Sequence, residues 1–88
     1  MTADTGLVGA IRELLSQRLF IEVDSPDLDL IDSGLVDSIG VVELILEIER
    51  RFEIALPPEE VEIDDFRSIH RIAMLVGRRL PPPAALSA

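Results

Sequence analysis

Neither cysteine nor lysine occurs anywhere in the 88 residues of this sequence. Without cysteine there is no disulfide framework and no thiolate metal site, and any thiol chemistry would need a thiol attached from outside. Without lysine there is no side-chain amine to attack an activated acyl group, although GC-rich coding alone accounts for an all-arginine set of 8 basic residues. Positive charge is scarce, with 8 basic against 17 acidic residues and a formal net charge of -9 at pH 7. That balance argues against nucleic acid and anionic membrane surfaces and favours basic protein partners. No apolar run reaches the roughly 18–20 residues of a membrane span. The start, Met1-Thr2-Ala3-Asp4-Thr5, has no basic flank ahead of an apolar segment, so no secretory signal is read. The expectation is a soluble, cytoplasmic monomer of one small domain, with no large catalytic cleft.

What the sequence does have is helical periodicity. Leu7, Val8, Ile11, Leu14 and Leu15 recur at spacings of three and four, which predicts a first helix ending near Arg18 or Leu19. In the segment that follows, from Phe20 to Asp37, Asp24, Asp27, Asp29, Asp32, Pro26 and Gly34 alternate with Leu28, Leu30, Ile31 and Leu35. It is too long for an ordinary connection and too apolar to float free, so it reads as a structured loop pinned to the core by its leucines. Ser38 to Phe52 forms the most regular helix, closed by Arg50 and Arg51 near its C-terminus and stopped by Pro57-Pro58. A short turn or helix around Asp64-Asp65-Phe66 precedes a last helix from about Ser68 to Arg79, with Ile69, Ile72, Ala73, Val76 and Leu80 facing inward. Nothing alternates like a strand, so the fold class is all-α, a small helix bundle over residues 1–80. Residues 81–88, rich in proline and alanine, are expected to form an extended or disordered tail.

The central helix has two apolar faces. At about 100° per residue, Val41, Leu44, Ile45, Ile48 and Phe52 fall on one side, while Ile39, Val42 and Leu46 fall opposite, alongside Glu43 and flanked by Glu47 and Glu49. An exposed apolar strip rimmed by carboxylates suits a partner with a hydrophobic groove and a basic rim; the competing reading has the preceding loop folded over the strip. Asp37-Ser38 stands at the start of this helix, where backbone N–H groups and the helix dipole favour negative charge. A serine placed there can carry a phosphodiester, although both residues are also ordinary capping residues.

In these segments the sequence resembles the acyl carrier protein and peptidyl carrier protein family from about Leu7 to Arg79. The resemblance rests on Leu30-Ile31-Asp32-Ser33-Gly34-Leu35-Val36-Asp37-Ser38-Ile39, on Glu43-Leu44, on Phe52-Glu53-Ile54-Ala55-Leu56-Pro57-Pro58-Glu59-Glu60 and on Phe66-Arg67-Ser68-Ile69. It implies a four-helix bundle, three main helices plus a short third one, with a 4′-phosphopantetheine arm from coenzyme A attached to Ser38 and supported by Asp37. It also implies partner docking through Glu43, Glu47 and Glu49, with Ile39, Val42 and Leu46 as apolar contacts. The partners would be a phosphopantetheinyl transferase and acyltransferase, adenylation, ligase or synthase enzymes with basic docking patches. The chain itself would be a carrier of acyl or aminoacyl thioesters rather than an enzyme. Ile39-Gly40 after the serine, where many fatty-acid carriers have leucine and an acid, and Arg50-Arg51 in place of further acids point away from the fatty-acid branch. The resemblance favours a freestanding carrier in polyketide or nonribosomal peptide metabolism, with D-alanyl and fatty-acid carriers as alternatives.

Rival readings are weaker. Ser33 also follows an aspartate, but Gly34 comes next and marks a turn. The Asp cluster fails as an EF-hand, because counting from Asp27 puts Asp32 where glycine is needed and Ser38 where the bidentate glutamate belongs. His70 is the sole histidine and lacks a recognisable catalytic partner, so it reads as a surface or satisfied helical residue. A hydrolase using Ser38 lacks a paired base and a nucleophile elbow. An unmodified acidic interaction module, docking through the central helix, is the remaining non-carrier reading.

Overall fold

The computed structural model describes residues 5–80, so the expected tail at 81–88 lies outside the described residues. Three α-helices, α1 (Thr5–Arg18), α2 (Ser38–Phe52) and α3 (Ile69–Arg79), are joined by a long first loop and, between α2 and α3, by two 3-10 turns at Pro58–Glu60 and Ile63–Phe66. No strand occurs among the described residues. The fold is the expected all-helical bundle, and the short helix expected around Asp64-Asp65-Phe66 is the 3-10 turn at Ile63–Phe66. None of its described helices is long and apolar enough to cross a membrane.

Each helix buries the stripe that its spacing predicts. Ile11, Leu14 and Leu15 of α1 are buried, with Leu7 and Val8 half-buried beside them. On α2, Val41, Leu44 and Ile48 are buried while Ile45 and Phe52 pack at the edge of the core. Ser68 begins α3 by accepting the Arg71 N–H at 3.1 Å. Ile69, Ile72, Ala73 and Val76 turn inward as expected, but Leu75 is buried as well and Leu80 only partly. The stripe of α3 is wider than one face because α3 packs against both α1 and the 63–66 turn, which inserts the buried Phe66.

The end of α2 is fixed by Glu53 in the left-handed region, at φ 54°, and by Glu49, whose Oε2 accepts the Leu56 N–H at 2.8 Å. This bond folds Leu56 back into the core before Pro57 and Pro58 start the next turn.

The first loop is pinned differently from the expectation. Val23, Leu30 and Val36 are buried, but Leu28 and Leu35 lie on the exposed side. Polar links complete the attachment. Leu30 N–H donates to Arg67 O at 2.6 Å, and His70 N–H donates to Pro26 O at 3.0 Å. The Arg67 guanidinium reaches Asp64 at 2.7 Å, Asp29 at 3.1 Å and Asp32 at 3.3 Å. The aspartates therefore serve as an ion-pair clamp between the loop and the segment entering α3. Asp29 Oδ1 also accepts the N–H groups of Asp32 at 2.8 Å and Ile31 at 3.0 Å. These bonds, that of Asp32 foremost, together with Arg67 hold the Asp29 carboxyl below the usual carboxylate range against the opposing effect of burial. Arg67 is pushed above its ordinary value, first by Asp64 and then by Asp32 and Asp29.

Candidate functional site

The loop delivers a serine to the tip of α2. Gly34 turns the chain at φ 83°, and Val36 N–H returns to Leu30 O at 2.9 Å, which seats Val36 in the core two residues ahead of Ser38. Asp37 is the N-cap: its Oδ1 accepts the Gly40 N–H at 2.8 Å and its carbonyl accepts the Val41 N–H at 2.9 Å. Ser38, the first residue of α2, is exposed between the buried Val36 and Val41. Its hydroxyl makes no hydrogen bond among the described residues, whereas Ser33 Oγ donates to Leu30 O at 3.2 Å and accepts from Leu35 N at 3.4 Å. Ser33 is thus occupied in the turn, and Ser38 presents an available hydroxyl beside the N–H groups of a helix N-terminus.

Gly40 has a packing reason that the sequence did not disclose. A Cβ placed there would stand 3.2 Å from Val36 Cγ1 and 3.3 Å from Asp37 Oδ1. Glycine lets Val36 and the capping carboxylate close against the first turn of α2, offsetting its cost in helix propensity.

The second apolar face of α2 is open to solvent. Ile39, Val42 and Leu46 are 69%, 56% and 55% exposed, so the loop does not cover them. With Glu43 they follow the i, i+3, i+4, i+7 pattern and form one stripe that begins next to Ser38.

The three carboxylates do not form a uniform rim. Glu43 is exposed and makes no ion pair among the described residues. Glu47 lies between Arg18 at 3.1 Å and Arg50 at 3.8 Å. Glu49 is engaged by the Leu56 N–H. Sequence reasoning missed Arg18, because its approach to α2 depends on how α1 packs; it missed Arg67 because the clamp spans a separation of 38 residues. His70 is satisfied, with Nδ1 2.7 Å from Asp27 Oδ1 at the surface.

The residues present fit a covalently attached anionic group at Ser38: a free hydroxyl, a helix N-terminus for a phosphodiester charge, and an exposed stripe leading away from it. The phosphopantetheine attachment site family model matches residues 9–76 of the chain. A D-alanyl carrier protein of Streptococcus uberis (strain ATCC BAA-854 / 0140J) is 39% identical over 74 residues, which cover 82% of this chain and 87% of the relative. A D-alanyl carrier protein of Streptococcus sanguinis (strain SK36) is 45% identical over 58 residues, 64% of this chain and 73% of the relative.

Proposed function

We propose that this chain, which belongs to the phosphopantetheine attachment family, bears its arm on Ser38 and carries an aminoacyl group, with D-alanine the first candidate. Membership makes it a carrier with a covalent 4′-phosphopantetheine, acted on by enzymes rather than catalytic itself. The observation behind the choice of Ser38 is its free, exposed hydroxyl on the first residue of a capped helix, with the exposed stripe starting at the next position. When attached, the arm supplies a terminal thiol that holds the cargo as a thioester.

The chain's own residues do the positioning. Ser38 Oγ would form the new bond to phosphorus as the pyrophosphate P–O bond of coenzyme A breaks, with the adenosine bisphosphate portion leaving and the hydroxyl proton passing to a base of the transferase. Asp37 keeps the first turn of α2 intact through Gly40, and as the residue before Ser38 it brings a negative charge that can orient the divalent metal of the phosphopantetheinyl transferase. Ile39, Val42 and Leu46 give partners an apolar contact, with Glu43 as the open charge for a basic patch. Glu47 and Glu49 are secondary in this reading because each already serves an internal bond. Each partner acts on one tethered cargo at high effective concentration.

The assignment to polyketide or nonribosomal peptide metabolism, favoured by the residues around Ser38, has no counterpart among these relatives, which are D-alanyl carriers at 39% and 45% identity. A D-alanyl cargo takes precedence for that reason. Because coenzyme A is the donor, loading is assigned to the cytoplasm, with the chain acting as a monomer.

The test is intact mass after incubation with coenzyme A, magnesium and a broad-specificity phosphopantetheinyl transferase, for wild type, Ser38→Ala and Ser33→Ala. One arm on wild type and Ser33→Ala and none on Ser38→Ala is the expected result. Modification of Ser38→Ala, or none of the wild type, overturns the assignment. The holo protein is then offered D-alanine and ATP with the enzyme that loads the Streptococcus uberis relative; a D-alanyl thioester is expected, and its absence returns the cargo to other acyl classes.

A further inference from the structure

Phe20 joins a strained backbone to an unburied side chain. Its φ of 59° lies in the left-handed region, where a bulky residue is an outlier and glycine or asparagine is the ordinary occupant. The fold needs the turn, which brings Ile21 N–H back to Leu15 O at 2.9 Å and lets Val23 enter the core. It does not need the ring, which is 86% exposed. An aromatic that costs backbone energy and buries little within its own chain is accounted for by what it buries in a partner.

Its chain neighbour touches the carrier surface. Leu19, the residue before it, lines an open groove of about 260 Å³ with Arg18, Glu43, Leu46, Glu47 and Arg50. Leu46 belongs to the stripe that begins beside Ser38, so that stripe and the end of α1 form one continuous surface. Ser38 and Leu46 are separated by roughly 12 Å of helix at the standard rise, well within the roughly 30 Å width of an ordinary interface patch of ~800 Å² per partner. Along this surface the charge changes sign, from Glu43, unpaired among the described residues, to Arg18 and Arg50, whose side chains remain 56% and 71% exposed although both contact Glu47. A uniformly basic partner would meet repulsion at that end. A complementary one carries a cation opposite Glu43 and a carboxylate opposite the two guanidinium groups.

Every partner can use the stripe, but only the enzyme that attaches the arm must bring its own active site to Ser38. The phosphopantetheinyl transferase must reach the Ser38 hydroxyl itself, so its body has to lie against this surface. We propose that Phe20 is a docking anchor for the transferase, received in an apolar pocket that is flanked by a basic group for Glu43 and a carboxylate for Arg18 and Arg50. This inference rests on Ser38 as the attachment residue.

Phe20→Gly separates the anchor from the turn, because glycine adopts the left-handed conformation without strain. The measurement is kcat/KM for phosphopantetheinylation of the full apo chain by a broad-specificity transferase with coenzyme A and magnesium, together with Tm, for wild type, Phe20→Gly, Phe20→Asn and Ser38→Ala. Both Phe20 variants are expected to melt at or above the wild-type temperature yet lose about thirtyfold in kcat/KM, the lower edge of an interface hot spot, chiefly through KM. If wild type is modified and Phe20→Gly keeps pace with it, the anchor is overturned while Ser38 stands. A Tm drop in both Phe20 variants also overturns the anchor, because the ring would then be supporting the fold. Failure of wild type to accept the arm overturns the Ser38 reading and the anchor together.

Discussion

Asp37 and Gly40 are joined by an N-cap hydrogen bond of 2.8 Å, so the carboxylate beside Ser38 has a structural role that mutation can separate from any role toward a partner. Asparagine keeps an oxygen acceptor at that position, whereas alanine removes it. Asp37→Ala is expected to lose about 1 kcal/mol of stability, and Asp37→Asn only a few tenths. If the negative charge orients the transferase and its metal, Asp37→Asn nevertheless loses about tenfold in phosphopantetheinylation kcat/KM, a difference that reflects transition-state stabilisation alone. Equal rates for Asp37→Asn and wild type would restrict Asp37 to capping.

The Arg67 clamp gives the fold a defined acid response. Asp29 has a folded-state pKa below its ordinary value of 3.8. Between the two values the unfolded chain binds a proton that the folded chain does not, so stability rises with pH across that window. The contribution is complete above about pH 4 and is lost as pH falls through the lowered folded pKa. Melting curves of wild type and Asp29→Asn should therefore differ by a constant Tm gap at neutral pH that narrows as pH drops below about 3.8. Arg67 stays charged throughout, so a gap that instead closes at alkaline pH would contradict this assignment. Arg67→Ala, which leaves Asp29, Asp32 and Asp64 without their shared cation, should lower Tm at neutral pH.

The helices and the candidate serine were legible because they depend on local signals. The spacing of Leu7 to Leu15 and of Ile39 to Phe52 fixes which faces are apolar, and Asp37-Ser38 marks a helix start whatever lies elsewhere in the chain. The long-range pairings were not legible. Glu43, Glu47 and Glu49 look equivalent in the sequence, but α1 brings Arg18 to Glu47 and the turn after α2 brings the Leu56 N–H to Glu49. The leucines of the first loop look equivalent too, and only the closure of the loop onto Arg67 and His70 decides that Leu30 is buried while Leu28 and Leu35 are not. Phe20 gave no signal, because its left-handed backbone arises from how the chain leaves α1.

Glu43 and Glu49 should respond oppositely to neutralisation. Glu49→Ala removes the acceptor of a part-buried N–H and should cost roughly 1–3 kcal/mol, with little change in modification by the transferase at subsaturating protein. Glu43→Gln alters a charge that is unpaired among the described residues and should leave Tm within about 1 °C while slowing that modification several-fold at low salt. Added salt should shrink the Glu43→Gln effect by screening the encounter. A Glu43 variant that destabilises the fold, or a Glu49 variant that slows modification without doing so, would reverse these roles.

Carboxylate repulsion should dominate the salt dependence of the apo fold. There are 17 acidic residues for 8 arginines, and among the described residues four of those arginines, Arg18, Arg50, Arg67 and Arg79, are already committed to ion pairs. Salt acts on both terms: it weakens exposed pairs worth about 0–1 kcal/mol each and relieves the repulsion of a chain whose formal charge is -9. The repulsion is spread over the whole surface and is screened at a Debye length near 10 Å in about 0.1 M salt. The uncompensated acids outnumber the exposed pairs, so relief of repulsion outweighs the loss of pairing. Tm measured from about 10 mM to about 200 mM sodium chloride should therefore rise, and magnesium at equal ionic strength should raise it at least as far. A flat or falling Tm would mean that the Arg67 clamp and its neighbours carry more of the stability than their exposure implies.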